Sequence, residues 1–257
     1  MILSRRVALG GVQLDELHER IVIRSVDPGV PYETIDAVNR MGGVGQRVTE
    51  QHWETLEVNV VFAIDVPKRE MALRREIFDL VKNWAMQKGW LTVNYMENRR
   101  FYVDKVVLPG LGDPWRWMTE FTITFRAYNV PFWQDETPGQ AVSGITASGT
   151  IMVPVGGNVQ SVMDVTFQNR SGMMISNFTV SAGGNTITLS NLGLGGSAAL
   201  KISHGTDGLL RIMAGASSAY SKYRGSDDLY VMPGIVPVWF KADRAGVLTA
   251  QCYGRWV

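Results

Sequence analysis

The chain has 257 residues, 46% of them hydrophobic and 19% charged, which is more length than one ordinary domain needs and enough apolar material for a substantial core. Its 25 basic and 24 acidic side chains leave a formal charge of +1, excluding a protein that holds nucleic acid chiefly by counterion release. A single cysteine, Cys252, excludes an intramolecular disulfide and a thiolate zinc site, and no uncharged apolar run of about eighteen residues is present to cross a bilayer as a helix.

The first residues carry a basic pair, Arg5 and Arg6, but the apolar stretch from Val7 to Leu14 is broken by Gly10, Gly11 and Gln13. It does not read as a signal peptide. Arg20 to Val26 is rich in β-branched residues and reads as a strand. Asp27 to Arg47 has turn formers at both ends, Pro28, Gly29 and Pro31 at one and Gly42, Gly43 and Gly45 at the other, and is long enough to be an arm that reaches a neighbour. From Thr55 to Ile64 the even positions are apolar and most odd ones polar, the period-two signature of a half-buried strand. Leu73, Ile77, Leu80, Val81 and Trp84 then follow the spacing of an amphipathic helix, with Asp65 as N-cap, Pro67 in the first turn and Gly89 just past the end. Leu91 to Met96, Phe101 to Leu108 and Phe121 to Ala127 return to strand patterns. The first half is therefore a β-structure with one helix lying across a sheet.

Of the charged side chains, 17 basic and 18 acidic fall in residues 1–135, leaving 8 and 6 for the rest, while 18 of the 27 glycines fall after residue 135. Glu136 to Gly144, with its Pro, Gly and Ser, marks the boundary as a linker, giving domains at 1–135 and 145–257. Beyond it, strands are predicted at Met163 to Phe167, Asn177 to Ser181, Thr186 to Leu192, Ala198 to Ser203, Leu209 to Ala214, Ile235 to Ala242 and Val247 to Tyr253, without a helix. Seven or so strands with turns roughly every ten residues imply an antiparallel sandwich or jelly roll.

Catalytic and cofactor chemistry finds little purchase. Gly193-Leu-Gly195-Gly-Ser-Ala198 has the form G-x-G-x-x-A, but Gly205 follows too soon for the helix that would hold a pyrophosphate, so it reads as a turn. Gly42-Gly43-Val-Gly45 lacks the lysine and spacing of a phosphate loop. His18, His52 and His204 are widely separated and show no paired metal spacing. Asp227-Asp228, next to Lys222 and Arg224, reads as a solvated turn rather than a calcium ligand set. Asn169-Arg-Ser171 matches a glycosylation triplet, which matters only in a secreted eukaryotic chain. Paired carboxylates for glycoside hydrolysis stay open, because sequence does not fix their separation. Trp84, Trp90, Trp115, Trp117, Trp133, Trp239 and Trp256 each lie in an apolar pattern suited to a core or interface, with a sugar-stacking face as the alternative. No cofactor, metal or catalytic residue is assigned.

Four features taken in order carry a resemblance: a β-rich start, the helix Lys68 to Ala85 followed by Gly89-Trp-Leu91, the strand Arg100 to Val106, and Glu120 to Ala127 leading into Pro131-Phe132-Trp133. Gly225-Ser-Asp227-Asp228-Leu-Tyr230, Met232-Pro233-Gly234 and the ending Tyr253-Gly254-Arg255-Trp256 extend it over nearly the whole chain. This order resembles the distal tail protein (Dit) family of long-tailed, non-contractile bacteriophages, the siphophages. One departure is Asn129-Val130, where the family commonly has an acid before the proline. The resemblance implies a mainly β protein of two domains: a tail-tube-like β-sandwich or split barrel with one helix, closing into a six-membered ring, and a galectin-like antiparallel β-sandwich outside it. It implies a non-enzymatic hub in the virion tail tip, made in the bacterial cytoplasm, which joins the tail-tube protein above to tip, baseplate and receptor-binding proteins below. Phage DNA would pass through the lumen without specific binding, and nothing would insert in a membrane. A ring subunit needs two different complementary faces, and Tyr32, Arg40, Met41 and Arg47 of the arm are the residues expected at that contact. A free carbohydrate-binding β-sandwich module is the alternative, as is another tail-tube or baseplate protein.

Overall fold

The alternating segment at residues 56–64 becomes the central strand of the first of two units. A computed structural model describes residues 6–39, 46–67, 69–109 and 120–257, and the chain divides into Met1–Trp133 with Val257, and Gln134–Trp256. The first unit carries β1 (Val7–Leu9), β2 (Val12–Gln13), β3 (Ile21–Asp27), β4 (Glu33–Asn39), β5 (Gln46–Trp53), β6 (Leu56–Ile64), α1 (Met71–Ala85), β7 (Trp90–Val93), β8 (Arg99–Tyr102), β9 (Lys105–Val107) and β10 (Glu120–Ala127). The boundary falls within β11 (Trp133–Asp135). β2, β1, β7 and β8 make one sheet in that order, β3, β6, β10 and β9 a second, and β4 and β5 a separate two-stranded ribbon.

Period-two patterning does what it should. Leu56, Val58, Val60, Phe62 and Ile64 of β6 are buried, as are Phe121, Ile123, Phe125 and Ala127 of its neighbour β10. The interrupted apolar start folds as the β1–β2 hairpin, with Val7, Leu9 and Leu14 fully buried. Helix α1 lies over β10, with Phe78 edge-on to Phe121 at 5.2 Å and Trp84 edge-on to Phe125 at 5.9 Å between ring centres. The Trp84 indole N–H donates to the Val12 carbonyl at 2.9 Å, tying the helix to the β1–β2 hairpin.

The helix differs from its sequence-based outline in two respects. It starts later, with Glu70 at the N-cap and no side-chain capping bond, because Pro67 sits before it rather than in its first turn. Its buried face is Arg74, Ile77, Phe78, Val81, Trp84 and Ala85, while Leu80 is 41% exposed. The seam is thus rotated toward residues 74 and 78, and the guanidinium carbon of Arg74 lies over the Phe121 ring, 5.7 Å from its centre. The segment expected as one strand from Phe101 to Leu108 is two, β8 and β9, in different sheets.

The second unit carries β12 (Gly139–Val142), β13 (Thr146–Val155), β14 (Ser161–Asn169), β15 (Phe178–Ala182), β16 (Asn185–Leu189), β17 (Ala199–His204), β18 (Leu210–Ala214), β19 (Ser217–Ser218), a 3-10 turn at Tyr220–Lys222, β20 (Tyr223–Gly225), β21 (Tyr230–Val231), β22 (Gly234–Cys252) and β23 (Arg255–Trp256). The two strands expected at 235–242 and 247–253 are the halves of β22, nineteen residues long. Its first half lies between β13 and β15, and its second half between β12 and β14. The strand turns from one sheet into the other near Gly246, where a Cβ would meet the Gln168 carbonyl and the Phe167 ring. The resulting sheets, β13-β22-β15-β16-β20 and β12-β22-β14-β17-β18-β19, enclose one apolar cluster centred on Phe167, Phe178 and Phe240. Part of the stretch expected as a linker at 136–144 is structured, because Gly139–Val142 is β12, paired with residues 249–252. The molecule is mainly β, as expected from its sequence.

Candidate assembly arm and buried histidine

Among the described residues between Asp27 and Arg47, Glu33–Asn39 is a strand, β4, that forms a ribbon with β5. β4 and β5 pair antiparallel from Glu33 opposite Trp53 to Asn39 opposite Gln46, with a bulge at Asp36 and Ala37. Neither pairs with any third strand among the described residues. A two-stranded ribbon alone is marginally stable in water, so its base must hold it. The Glu54 amide donates to the Tyr32 carbonyl at 2.9 Å, Thr34 donates to the Glu54 carboxylate at 2.8 Å, and Trp53 packs edge-on against Phe132 at 5.2 Å. On the β3 side Gly29 has φ +61°, its amide donates to the Asp27 carboxylate at 3.2 Å, and a Cβ there would run into the Glu57 carbonyl. Only glycine fits that turn.

Apolar side chains are exposed here: Val30 and Tyr32 in the segment leading into β4, Tyr32 to 65%, and Ile35 on β4 itself. Arg40 and Met41, expected at the ring contact, lie outside the described residues. Arg47 belongs to β5, in register with Val38. Tyr32 thus lies just before β4, Ile35 on β4 and Arg47 on β5.

A second constellation lies in Gln134–Trp256. Nδ1 of His204, at the end of β17, is 2.8 Å from Asp164 of β14, and its Nε2 is 2.7 Å from Asp228 in the turn before β21. The His204 backbone N–H also donates to Asp164 at 3.0 Å. With a carboxylate at each ring nitrogen, both nitrogens donate only if the ring is imidazolium. Burial alone lowers the pKa of this ring, but the two carboxylate hydrogen bonds and charges together outweigh it and hold the pKa above its ordinary value. Arg255, nearby, feels both carboxylates. Asp228 is thus a half-buried ion-pair partner, not the solvated turn residue expected from Asp227-Asp228. Among the described residues no group of three or more His, Cys, Asp and Glu is disposed to hold a metal.

Two further side chains are spent on structure. Asn169 is fully buried: its amide reaches the carbonyls of Met173, Leu194 and Gly195, and its oxygen accepts from Ser171, so it is no glycosylation acceptor. Those bonds hold the turn of Gly193 to Ala198, after which strand β17 follows with no helix. Cys252 donates to the Val162 carbonyl at 3.2 Å, and burial pushes its thiol up to about 12. Since the thiolate is the reactive form, a disulfide-exchange reagent at pH 8 is expected to label Cys252 no faster than the unit unfolds. Rapid, complete labelling of the native chain would contradict that burial.

No protein-family model matches the chain, and no curated protein sequence does. Among solved structures, the crystal structure of the SPP1 Dit (gp 19.1) protein, described as a paradigm of the hub adsorption apparatus in phages that infect Gram-positive bacteria, matches with a TM-score of 0.67. The match covers 98% of this chain and 99% of that one at 11% identity. The chain has the Dit fold. Chains from the phage p2 baseplate in its activated conformation, with strontium and with calcium, match at 10% and 9% identity and a TM-score of 0.44 in each case, over 96% and 97% of this chain and 97% and 98% of theirs.

At 11% identity the Dit fold of this chain is built with its own side chains, and one substitution can be followed. Where an acid was expected before Pro131, Asn129 stands. Asp104 supplies the carboxylate from across the sheet, accepting the amides of Tyr128 and Asn129 at 2.7 and 3.0 Å and the Asn129 side chain at 2.8 Å. The His204 pair was missed in the sequence because its three members lie 24 to 64 positions apart and carry no local spacing.

Proposed function

We propose that the chain is a structural hub of a non-contractile phage tail. In this reading six copies close into a ring through the first unit, a tail-tube-like domain, with the second, a galectin-like sandwich, on the outside. The ring joins the end of the tail tube to the tip or baseplate and the receptor-binding proteins. The observation that carries the reading is the end-to-end match to the fold of SPP1 Dit, a hub protein, which leaves no large part of either chain unaccounted for. The β4–β5 ribbon supports it independently. It is anchored at its base, pairs with no third strand among the described residues, and has Ile35 exposed on β4 with Val30 and Tyr32 exposed just before it, the kind of apolar content that the centre of an interface buries.

Head-to-tail copies close only if the rotation per copy divides a full turn, so the arm and its receiving surface must differ. A formal charge of +1 suits a ring that lets DNA pass without holding it. Sedimentation and native mass of the intact chain, at concentrations high enough to offset mass action, are expected to show a hexamer. Deleting residues 32–43 and joining the ends with a short Gly-Ser link is expected to leave a folded monomer with unchanged far-ultraviolet dichroism apart from the ribbon. A hexamer that persists after the deletion would remove the arm from the mechanism, and a full chain that stays monomeric at every concentration would remove the ring.

A further inference from the structure

One sheet of Gln134–Trp256 has an outer face with an unusual surface. On the strands β13-β22-β15-β16-β20, the register places Thr150, Trp239, Ser181 and Thr186 side by side in one row. Ser148, Lys241, Thr179, Thr188 and Arg224 form the next. The inward neighbours Val238, Phe240, Val180 and Ile187 are buried in the core, so both rows face outward. Trp239 is 41% exposed, and Met152 and Ile235, farther along the same face, are 60% and 66% exposed. An indole left out of the core on a sheet face is an expensive choice for a fold that buries Trp84 and Trp133.

The hydroxyls are held in order. Thr186 donates to Ser181 at 3.1 Å, Ser181 donates to the Asn185 carbonyl at 2.9 Å, and the Thr179 and Thr188 hydroxyls are 3.4 Å apart. Lys241 and Arg224 stand in the same row, while no outward position of these strands from 148 to 154, 179 to 181, 186 to 188, 223 to 225 or 235 to 241 is Asp or Glu. Among the described residues neither cation pairs with a carboxylate. The face combines an apolar platform, a fixed row of hydroxyls and two cations without counter-charge.

We infer that this face binds an anionic saccharide. A pyranose ring lays its C–H face on Trp239, its hydroxyls meet Ser181 in that row and Thr179 and Thr188 in the next, and acidic groups of successive sugar units go to Lys241 near one end of the second row and Arg224 at the other, about 14 Å apart across three strand spacings. Neutral sugars leave the two cations unused, and an acidic peptide leaves the hydroxyl row unused. Two cations are also few for a nucleic acid, whose binding scales with phosphates neutralised. The site stands whether or not the ring closes.

The test titrates the full chain by calorimetry and tryptophan fluorescence with five probes: a galacturonate hexamer, its methyl ester, a phosphorylated dextran oligomer, polyglutamate and oligothymidylate. Saturable binding of the galacturonate or the phosphorylated dextran is expected, and which of the two is tighter identifies the source of the charge. The methyl ester is expected to bind roughly tenfold more weakly than the galacturonate, the scale of one lost hydrogen bond to a charged group. Trp239→Ala is expected to abolish saturation, and Lys241→Gln and Arg224→Gln each to weaken it by about tenfold. All three side chains are exposed, so melting temperatures should not change, and Lys241→Gln gives a readout even if Trp239→Ala proves unstable. Saturation by neither acidic sugar overturns the inference, as does binding that Lys241→Gln leaves unchanged. Tighter binding of polyglutamate reassigns the face to an acidic protein segment, tighter binding of oligothymidylate to nucleic acid, and both overturn the saccharide.

Discussion

Trp84→Ala is expected to lower the stability of the first unit by roughly 3–5 kcal/mol, the range for removing a buried large aromatic side chain. Three losses coincide at this position. The indole is buried, its ring packs edge-on against Phe125, and its N–H is bonded to the Val12 carbonyl, which the substitution leaves without that donor. Against a stability at the low end of the ordinary range, about 5 kcal/mol, the larger loss would leave folded and unfolded populations comparable. Lys82→Ala, on the exposed side of the same helix, is expected to change stability by less than about 0.5 kcal/mol. Denaturant midpoints decide between them, and equal shifts for the two variants would mean that the helix is turned the other way.

The second large effect lies at His204. Its ring is 7% exposed and each aspartate is less than one-fifth exposed, so removing it leaves two carboxylates facing one another with Arg255 as the nearby cation. His204→Ala is expected to cost about 3–5 kcal/mol at pH 6, the scale of breaking a buried pair by deleting one partner. The intact chain should also depend on pH. Its folded pKa lies above the unfolded value of about 6.5, so the imidazolium's contribution is complete below about pH 6.5 and declines as pH rises through the folded pKa. Unfolding free energy measured from pH 5.5 to 9 is expected to fall with rising pH in the intact chain, while His204→Gln removes that slope. A slope unchanged in His204→Gln would place the titration elsewhere.

Both sites bear on what the sequence could reveal. Period two at residues 56–64 and 121–127 was legible because one face of each strand is buried and the other is wet, and the helix was legible because its stripe is long. Its start was not, since Asp65 and Pro67 look like a cap yet precede the first turn, and a capping bond is made by geometry rather than by residue type. The strand β13 escaped notice because Gly149 and Pro154 interrupt its pattern, although alternate residues Val153 and Val155 are buried. Two predicted strands were in fact the one strand β22, because Arg244, Ala245 and Gly246 at its bend have the composition of a turn. The turn formers at the two ends of the segment from Asp27 to Arg47 were legible, but strand β4 between them was not, since Thr34, Ile35, Asp36 and Ala37 alternate only weakly. The His204 cluster was invisible for a simpler reason: its contacts exist only after β14, β17 and the Asp228 turn have come together. Trp239, one of seven tryptophans noted in the sequence, is set apart from the buried Trp84 and Trp133 only by its outward register on β22.

The long strand β22 has a consequence for how the second unit is made. β12, β13, β14 and β15 all pair with it, and β12 does so across a gap of more than a hundred residues, from Gly139–Val142 to Thr249–Cys252. During synthesis those four strands therefore leave the ribosome before the partner that completes them, so their edges stay unpaired until it emerges. Such non-local pairing closes slowly and exposes apolar strand edges meanwhile. Nascent chains released before residue 234 should consequently engage holding chaperones or aggregate, and the second unit should acquire protease resistance in a single step once β22 is available rather than strand by strand.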